Sequence, residues 1–152
     1  MRVVIANDHA AVAFKYMIKE YLESKGYEVL DMGSTDPNAA DDYPDFGEKA
    51  ALAVADGTAD RGVLICGTGV GMALTANKVR GIRAGVCSDT TTARLIVQHN
   101  DCNIICFGER IVGAEAAKDI LDAYFGAEFM GGKHAARVAK IMAVEERQSQ
   151  NL

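Results

Sequence analysis

The sequence predicts a three-layer α/β/α sandwich built on a five-stranded, mainly parallel sheet. Short apolar runs alternate with longer amphipathic stretches along the whole chain, the pattern of repeated strand, helix, strand units with helices on both faces of a sheet. The apolar runs are only four or five residues long, the length of buried strands rather than of helices. The 152 residues are 49% hydrophobic, with no internal repeat, linker or low-complexity tract, which predicts one domain over 1–152 with one core system.

The first strand is expected over Val3 to Ala6. Phe14, Met17, Ile18, Tyr21 and Leu22 then follow the i, i+3, i+4, i+7, i+8 spacing of a helix with one apolar face, and Gly26 suits its C′ position. A second strand is expected over Glu28 to Asp31. The stretch from Gly33 to Pro44 contains both prolines with Asp36, Asn38, Asp41 and Asp42, and reads as a long surface loop of the kind that shapes a site's rim. A helix from about Asp45 to Ala55, a strand over Gly62 to Cys66, a glycine-rich turn and a further strand over Arg83 to Cys87 follow. The last elements are a helix from Thr90 to His99, a strand over Asn103 to Phe107 and helices over Ala114 to Phe125 and His134 to Arg147. Residues 148–152 should fray.

A net charge of −5 provides no basic field for a polyanion, and the apolar stretches are far short of a membrane span, so nucleic acid and bilayer are excluded as partners. The opening residues run into a strand without a charged lead and cleavage site, which predicts a cytoplasmic protein. Four cysteines in a chain of this size and setting are expected as reduced thiols, with Cys87 and Cys106 simply filling the core. No Cys/His spacing resembles a zinc site.

The chemistry concentrates where Val63-Leu64-Ile65-Cys66 breaks into Gly67-Thr68-Gly69-Val70-Gly71-Met72. A thiol, a hydroxyl and several glycine-freed N–H groups then share the carboxyl end of a strand, where open α/β sheets bind ligands. The turn suits an anion, although it fits neither the dinucleotide fingerprint nor the Walker A loop. A tight turn without a ligand and an inert core cysteine are the structural alternatives. Asn7-Asp8-His9 ends the first strand and reaches the same sheet edge if the two strands are adjacent; Asp8 can equally cap the next helix. Lys133, His134 and Arg137 place positive charge at i, i+1 and i+4, able to hold a phosphate or merely to face solvent, and Arg110 can join them. His99-Asn100 ends its helix, where a histidine also serves as a dipole partner.

Taken together, Asp8-His9, the run Ile65 to Gly71, Ala76-Asn77-Lys78, Gly81 to Ala84, His99-Asn100, Phe107-Gly108 with Arg110, and Gly132 through Arg137 resemble the ribose-5-phosphate isomerase B family, which includes allose-6-phosphate and galactose-6-phosphate isomerases. The resemblance covers nearly the entire chain in order. It implies a homodimer of Rossmann-like subunits, with an active site across the interface, that interconverts an aldose phosphate and a ketose phosphate without metal or organic cofactor. By the same likeness, Cys66 moves the proton between C1 and C2 through an enediolate. The N–H groups around Gly67, Gly69, Val70 and Gly71 hold the oxyanion, and Thr68 and His99 open the cyclic sugar. Asp8 and Asn100 hold hydroxyls; His9, Arg110, Lys133, His134 and Arg137 contact the phosphate, some from the partner. Asn7 stands where several relatives have cysteine, Met72 where some have a glutamate base, and Lys133 where some have arginine, which keeps charge but loses bidentate geometry. The sugar is expected to be ribose 5-phosphate, with tetrose 4-phosphate, allose 6-phosphate or galactose 6-phosphate as alternatives, and a noncatalytic sugar-phosphate-binding module as the other class.

Overall fold

The computed structural model describes residues 1–150. Its strands are β1 (Arg2–Asn7), β2 (Glu28–Asp31), β3 (Arg61–Cys66), β4 (Ala84–Val86) and β5 (Ile104–Gly108). Its helices are α1 (Val12–Ser24), α2 (Tyr43–Ala55), α3 (Val70–Ala76), α4 (Thr90–Gln98), α5 (Ala114–Phe125) and α6 (Lys133–Ser149), with a short 3-10 turn at His9–Ala11. The sheet order is β2-β1-β3-β5-β4, and every pairing is parallel. The chain therefore steps from β1 to β2 on one side, and on the other crosses from β3 to the edge at β4 before returning to place β5 between them. The crevice above the carboxyl ends of β1 and β3 is the topological switch point at which such sheets bind ligands.

Alternation along the central strands divides the core between the two faces. Val3, Ile5, Val63, Ile65, Ile105 and Phe107 face α1, α4 and α5, while Val4, Ala6, Leu64, Cys66, Ile104 and Cys106 face α2 and α3. Each fully buried Ile or Leu contributes about 1.5–3 kcal/mol. Helix α1 ends with Gly26 in the left-handed region at φ 92°, as the sequence predicts. Its buried line is Val12, Lys15, Ile18 and Leu22, so the predicted face is rotated enough to bury a cation. Lys15 Nζ finds Asp31 at 2.9 Å and the Ser34 carbonyl at 3.0 Å, which satisfies the charge inside.

Most boundaries differ from expectation by a residue or two, and some have a physical reason. Helix α2 starts at Tyr43, with Pro44 in its first turn, where a missing N–H costs nothing. Strand β4 stops short of Arg83 and Cys87 because the Arg83 N–H turns aside to the Asn103 side chain at 2.9 Å. Helix α6 runs two residues past Arg147, through Gln148 and Ser149, and Ser149 Oγ donates to the Glu145 carbonyl at 3.0 Å. Residues 151–152 lie outside the described residues. Helix α6 buries only His134 and Val138, and is tied to the body by Arg80 on Glu146 and by the Gly81 N–H on Glu145. Among the described residues no helix is long and apolar enough to cross a membrane.

Candidate active site

Strand β1 delivers Asn7, Asp8 and His9 to the crevice. Asp8 performs the capping role available to it, accepting from the Ala10 N–H at 3.1 Å, and also lines the cleft. The Asn7 side chain is fully buried and turns inward, its amide donating to the Asp8 and Ser34 carbonyls at 2.7 and 3.2 Å. Asn7 is thus a support beneath the cleft. The His9 ring meets Asp41 at 2.8 Å through Nδ1. That hydrogen bond is the main reason its pKa is raised; partial desolvation opposes it, and the charges of Asp41 and Asp8 assist. Asp41 is pulled the other way. Desolvation would raise its carboxyl, but hydrogen bonds from Ser34 and His9 prevail and lower it.

Strand β3 ends in Cys66, only 5% exposed yet part of the cleft wall. The Gly69 N–H donates to its sulfur at 3.1 Å, and the Val70 N–H donates to Thr68 Oγ1 at 3.3 Å. The loop's amides are therefore divided: those at 69 and 70 are taken by the Cys66 and Thr68 side chains, and those at 71 and 72, in the first turn of α3, have no intrahelical acceptor. Two glycines make this geometry possible. Gly69 sits at φ 84° with Phe107 backbone atoms 2.8 Å from where a Cβ would stand, and a Cβ on Gly108 would lie 2.4 Å from Thr68 Cα. The loop packs directly on β5, closed by the Glu109 N–H to the Cys66 carbonyl at 2.9 Å and the Arg110 N–H to the Gly67 carbonyl at 3.0 Å. These bonds carry the Arg110 guanidinium over Gly67.

Asp8, His9, Cys66, Gly67, Thr68, Val70, Gly71 and Arg110 consequently surround one cleft of about 440 Å³, within the usual range for a small-molecule site. Gly69 lies behind it. His99, Asn100, Lys133, His134 and Arg137 do not line this cleft. His99 caps α4, and its ring stacks on His134 with centroids 4.3 Å apart and planes within 6°. The stack is fixed because the Met130 N–H donates to the Gln98 carbonyl at 3.0 Å, laying the start of α6 against the end of α4. Burial, then His99, Lys133 and Arg137, lower the His134 pKa. Lys133 and Arg137 are exposed beside it. Asn100 borders a larger cavity of about 940 Å³ between α6 and the body, which contains none of the other candidates. The smaller cleft is the candidate active site, since it joins thiol, carboxylate, imidazole and guanidinium at the switch point.

The family model described as Ribose/Galactose Isomerase matches residues 3–141. The chain belongs to this isomerase family. Ribose-5-phosphate isomerase B of Escherichia coli (strain K12) is 47% identical over 148 residues, covering 97% of this chain and 99% of that protein. The solved ribose-5-phosphate isomerase B of Clostridium thermocellum superposes with a TM-score of 0.95 at 48% identity, covering 97% of this chain and 99% of that one. The Mycoplasma genitalium ribose-5-phosphate isomerase B, solved with bound ribulose-5-phosphate, has a TM-score of 0.92 at 39% identity, covering 95% and 96%. Membership in the isomerase family agrees with the resemblance drawn from the sequence motifs.

Within this family member, sequence reasoning missed the supports. Tyr43 lines the cleft, its ring filling the space a Gly71 side chain would take. Asp41, Ser34 and Lys15 hold the rim loop. The signal for Tyr43 is its place directly before Pro44 at a helix start; Asp41 and Ser34 carried none beyond loop composition. The remaining thiols are core: burial pushes Cys87 to about 12 and Cys102 to about 11, and raises Cys106 well beyond its ordinary value. Among the described residues, no group of three or more His, Cys, Asp or Glu side chains is placed to hold a metal ion.

Proposed function

We propose that the protein is a cofactor-independent aldose-ketose isomerase that converts ribose 5-phosphate to ribulose 5-phosphate in the cytoplasm. The observation that carries this reading is the convergence of Cys66, Thr68, Asp8, His9 and Arg110 on one cleft at the β1/β3 switch point. His9 and Arg110 hold the phosphate, and Asp8 binds sugar hydroxyls. Cys66 as thiolate removes the proton from C2 of the open-chain aldose, the C2 electrons form the C1=C2 bond, and negative charge moves to O1. Amides at Gly67, Thr68 and Gly71 receive that charge, an effect of about 3 kcal/mol per donor in other enzymes. Cys66 then returns its proton to C1 while the O2 proton passes to O1, so that the C2 carbonyl and the C1 hydroxyl of the ketose form together. A base must reach the carbon acid directly, and the position of Cys66 in the cleft wall supplies that reach. Four unpaired cysteines favour a reducing compartment.

The other five assigned residues enter from a second copy of the chain. His99 works with Thr68 in opening the ring, Asn100 binds a hydroxyl, and Lys133, His134 and Arg137 complete the phosphate site. This reading as a homodimer is supported by their absence from the Cys66 cleft, by exposed Tyr43, Val70 and Leu74 around that cleft, and by exposed Ile141 and Val144 on the sparsely buried α6. Incubation with ribose 5-phosphate, erythrose 4-phosphate, allose 6-phosphate and galactose 6-phosphate, with the ketose identified by NMR, tests the assignment. Ribulose 5-phosphate should form fastest; turnover of none overturns the isomerase reading.

A further inference from the structure

The rim loop between β2 and α2 does more than border the cleft. A carboxylate can only accept, so the 2.8 Å contact makes His9 Nδ1 the donor and turns Nε2 away from Asp41. Asp41 Oδ1 also accepts from the His9 N–H at 3.1 Å, and Oδ2 accepts from Ser34 Oγ at 2.6 Å. Ser34 is itself pinned from three sides: its N–H donates to the Asn7 carbonyl at 3.1 Å, and its carbonyl accepts from Asn7 Nδ2 at 3.2 Å and from buried Lys15 Nζ at 3.0 Å. A continuous polar chain thus runs from a cation inside the fold, through the loop, to an imidazole in the cleft.

We propose that Asp41 is the positioning residue for His9, holding the ring with its Nδ1–H toward the loop so that Nε2–H meets the phosphate monoester of the substrate as an imidazolium. This rests on the isomerase reading of the cleft. The charged and titratable groups around the ring are Asp41 from the loop, Asp8 from the preceding residue, and Tyr43, Cys66 and Arg110 along the rest of the cleft. The raised pKa of His9 agrees with the pairing, since the hydrogen bond to Asp41 favours the charged ring. Charge-assisted contact to phosphate is stronger than a neutral one, so loss of that charge weakens ground-state binding more than proton transfer at carbon.

The test uses the full-length protein and its Asp41→Asn and Asp41→Ala variants. The measurements are KM and kcat for ribose 5-phosphate between pH 6 and 8.5, with the ¹⁵N titration of His9 alongside. Asp41→Asn keeps an acceptor without charge: its KM should stay near that of the parent at pH 6 and rise about tenfold above it by pH 8, with kcat within threefold. Asp41→Ala should raise KM at every pH. His9 should titrate lower in both variants. Parallel KM profiles for parent and Asp41→Asn, or an unchanged His9 titration, overturn the assignment. If Asp41→Ala fails to fold, Asp41→Asn alone decides. A parent enzyme without turnover overturns the isomerase reading instead, and the His9 titration still decides whether Asp41 holds the ring.

Discussion

Substitution of Gly108 by alanine isolates the contact that sets the position of the glycine-rich loop. The added methyl would stand 2.4 Å from Thr68 Cα, 2.5 Å from the Gly67 carbonyl oxygen and 2.6 Å from the Thr68 carbonyl carbon, whereas ordinary contact begins near 3.4 Å. All three are backbone atoms, so no side chain can swing aside, and the loop must retreat by about 1 Å, the difference between 3.4 and 2.4 Å. Overpacking of this kind costs about 1–3 kcal/mol of stability. A shift of about 1 Å in Cys66 and Thr68 relative to Asp8, just beyond β1, should lower kcat by about 100-fold, equivalent to about 2.7 kcal/mol of barrier. Gly71→Ala is the control for stability alone, Gly71 being itself a cleft residue. The three atoms nearest its methyl all belong to the Tyr43 ring, the closest at 2.6 Å, and that ring is part of a 41% exposed side chain rather than of the backbone. Urea unfolding should therefore separate the two variants, with Gly71→Ala losing less than about 1 kcal/mol. Turnover of Gly108→Ala within threefold of the parent, or an equal loss of stability from both substitutions, would refute the packing argument.

Cys66→Ala should abolish exchange of the C1 hydrogen of ribulose 5-phosphate with deuterated solvent while the sugar phosphate still binds; near-normal exchange would assign the base elsewhere. Thr68→Ala and His99→Ala should impair ribose 5-phosphate, which closes a ring through O4, by at least tenfold more than erythrose 4-phosphate, whose O4 is esterified. Equal losses on the two sugars, by progress-curve assay, would remove the ring-opening role. His134 is held below its ordinary pKa by burial and by His99, Lys133 and Arg137, so near and below pH 6.5 the unfolded chain binds the proton more readily than the folded one. Stability should therefore rise with pH through that window and fall on acidification, and His134→Phe should flatten the slope between pH 5.5 and 7 in denaturant titrations. His9 carries the opposite sign. Its raised pKa gives a stabilising contribution that is complete below about pH 6.5 and is lost as pH rises through the folded value, so a His134 slope of that sign would contradict the stacking argument.

Local signals carried most of the fold and half of the site. The glycine loop was legible because a run of residues lacking Cβ directly after a strand marks a close backbone approach, and at Gly69 a Cβ would stand 2.8 Å from the Phe107 backbone. Helix α1 was legible from its period and Gly26. Its rotation was not, because the partner that makes Lys15 tolerable inside, Asp31, comes from β2 and a carbonyl of the rim loop. Strand order was equally hidden: periodicity marks β1 and β3 as strands, yet only pairing of Asn7 with Ile65 shows that Asp8 and Cys66 open into the same crevice. Asp41 is the clearest case. Within its loop it is one of four Asx residues, any of which can stabilise a turn. What distinguishes it is a hydrogen bond across 32 residues to His9, and a second to Ser34, whose own bonds reach Asn7 and Lys15. The side chains that touch substrate are constrained by chemistry to a few residue types and so announce themselves. Those that aim them are constrained by geometry alone, and a carboxylate that fixes an imidazole looks, in one dimension, like any aspartate in a loop.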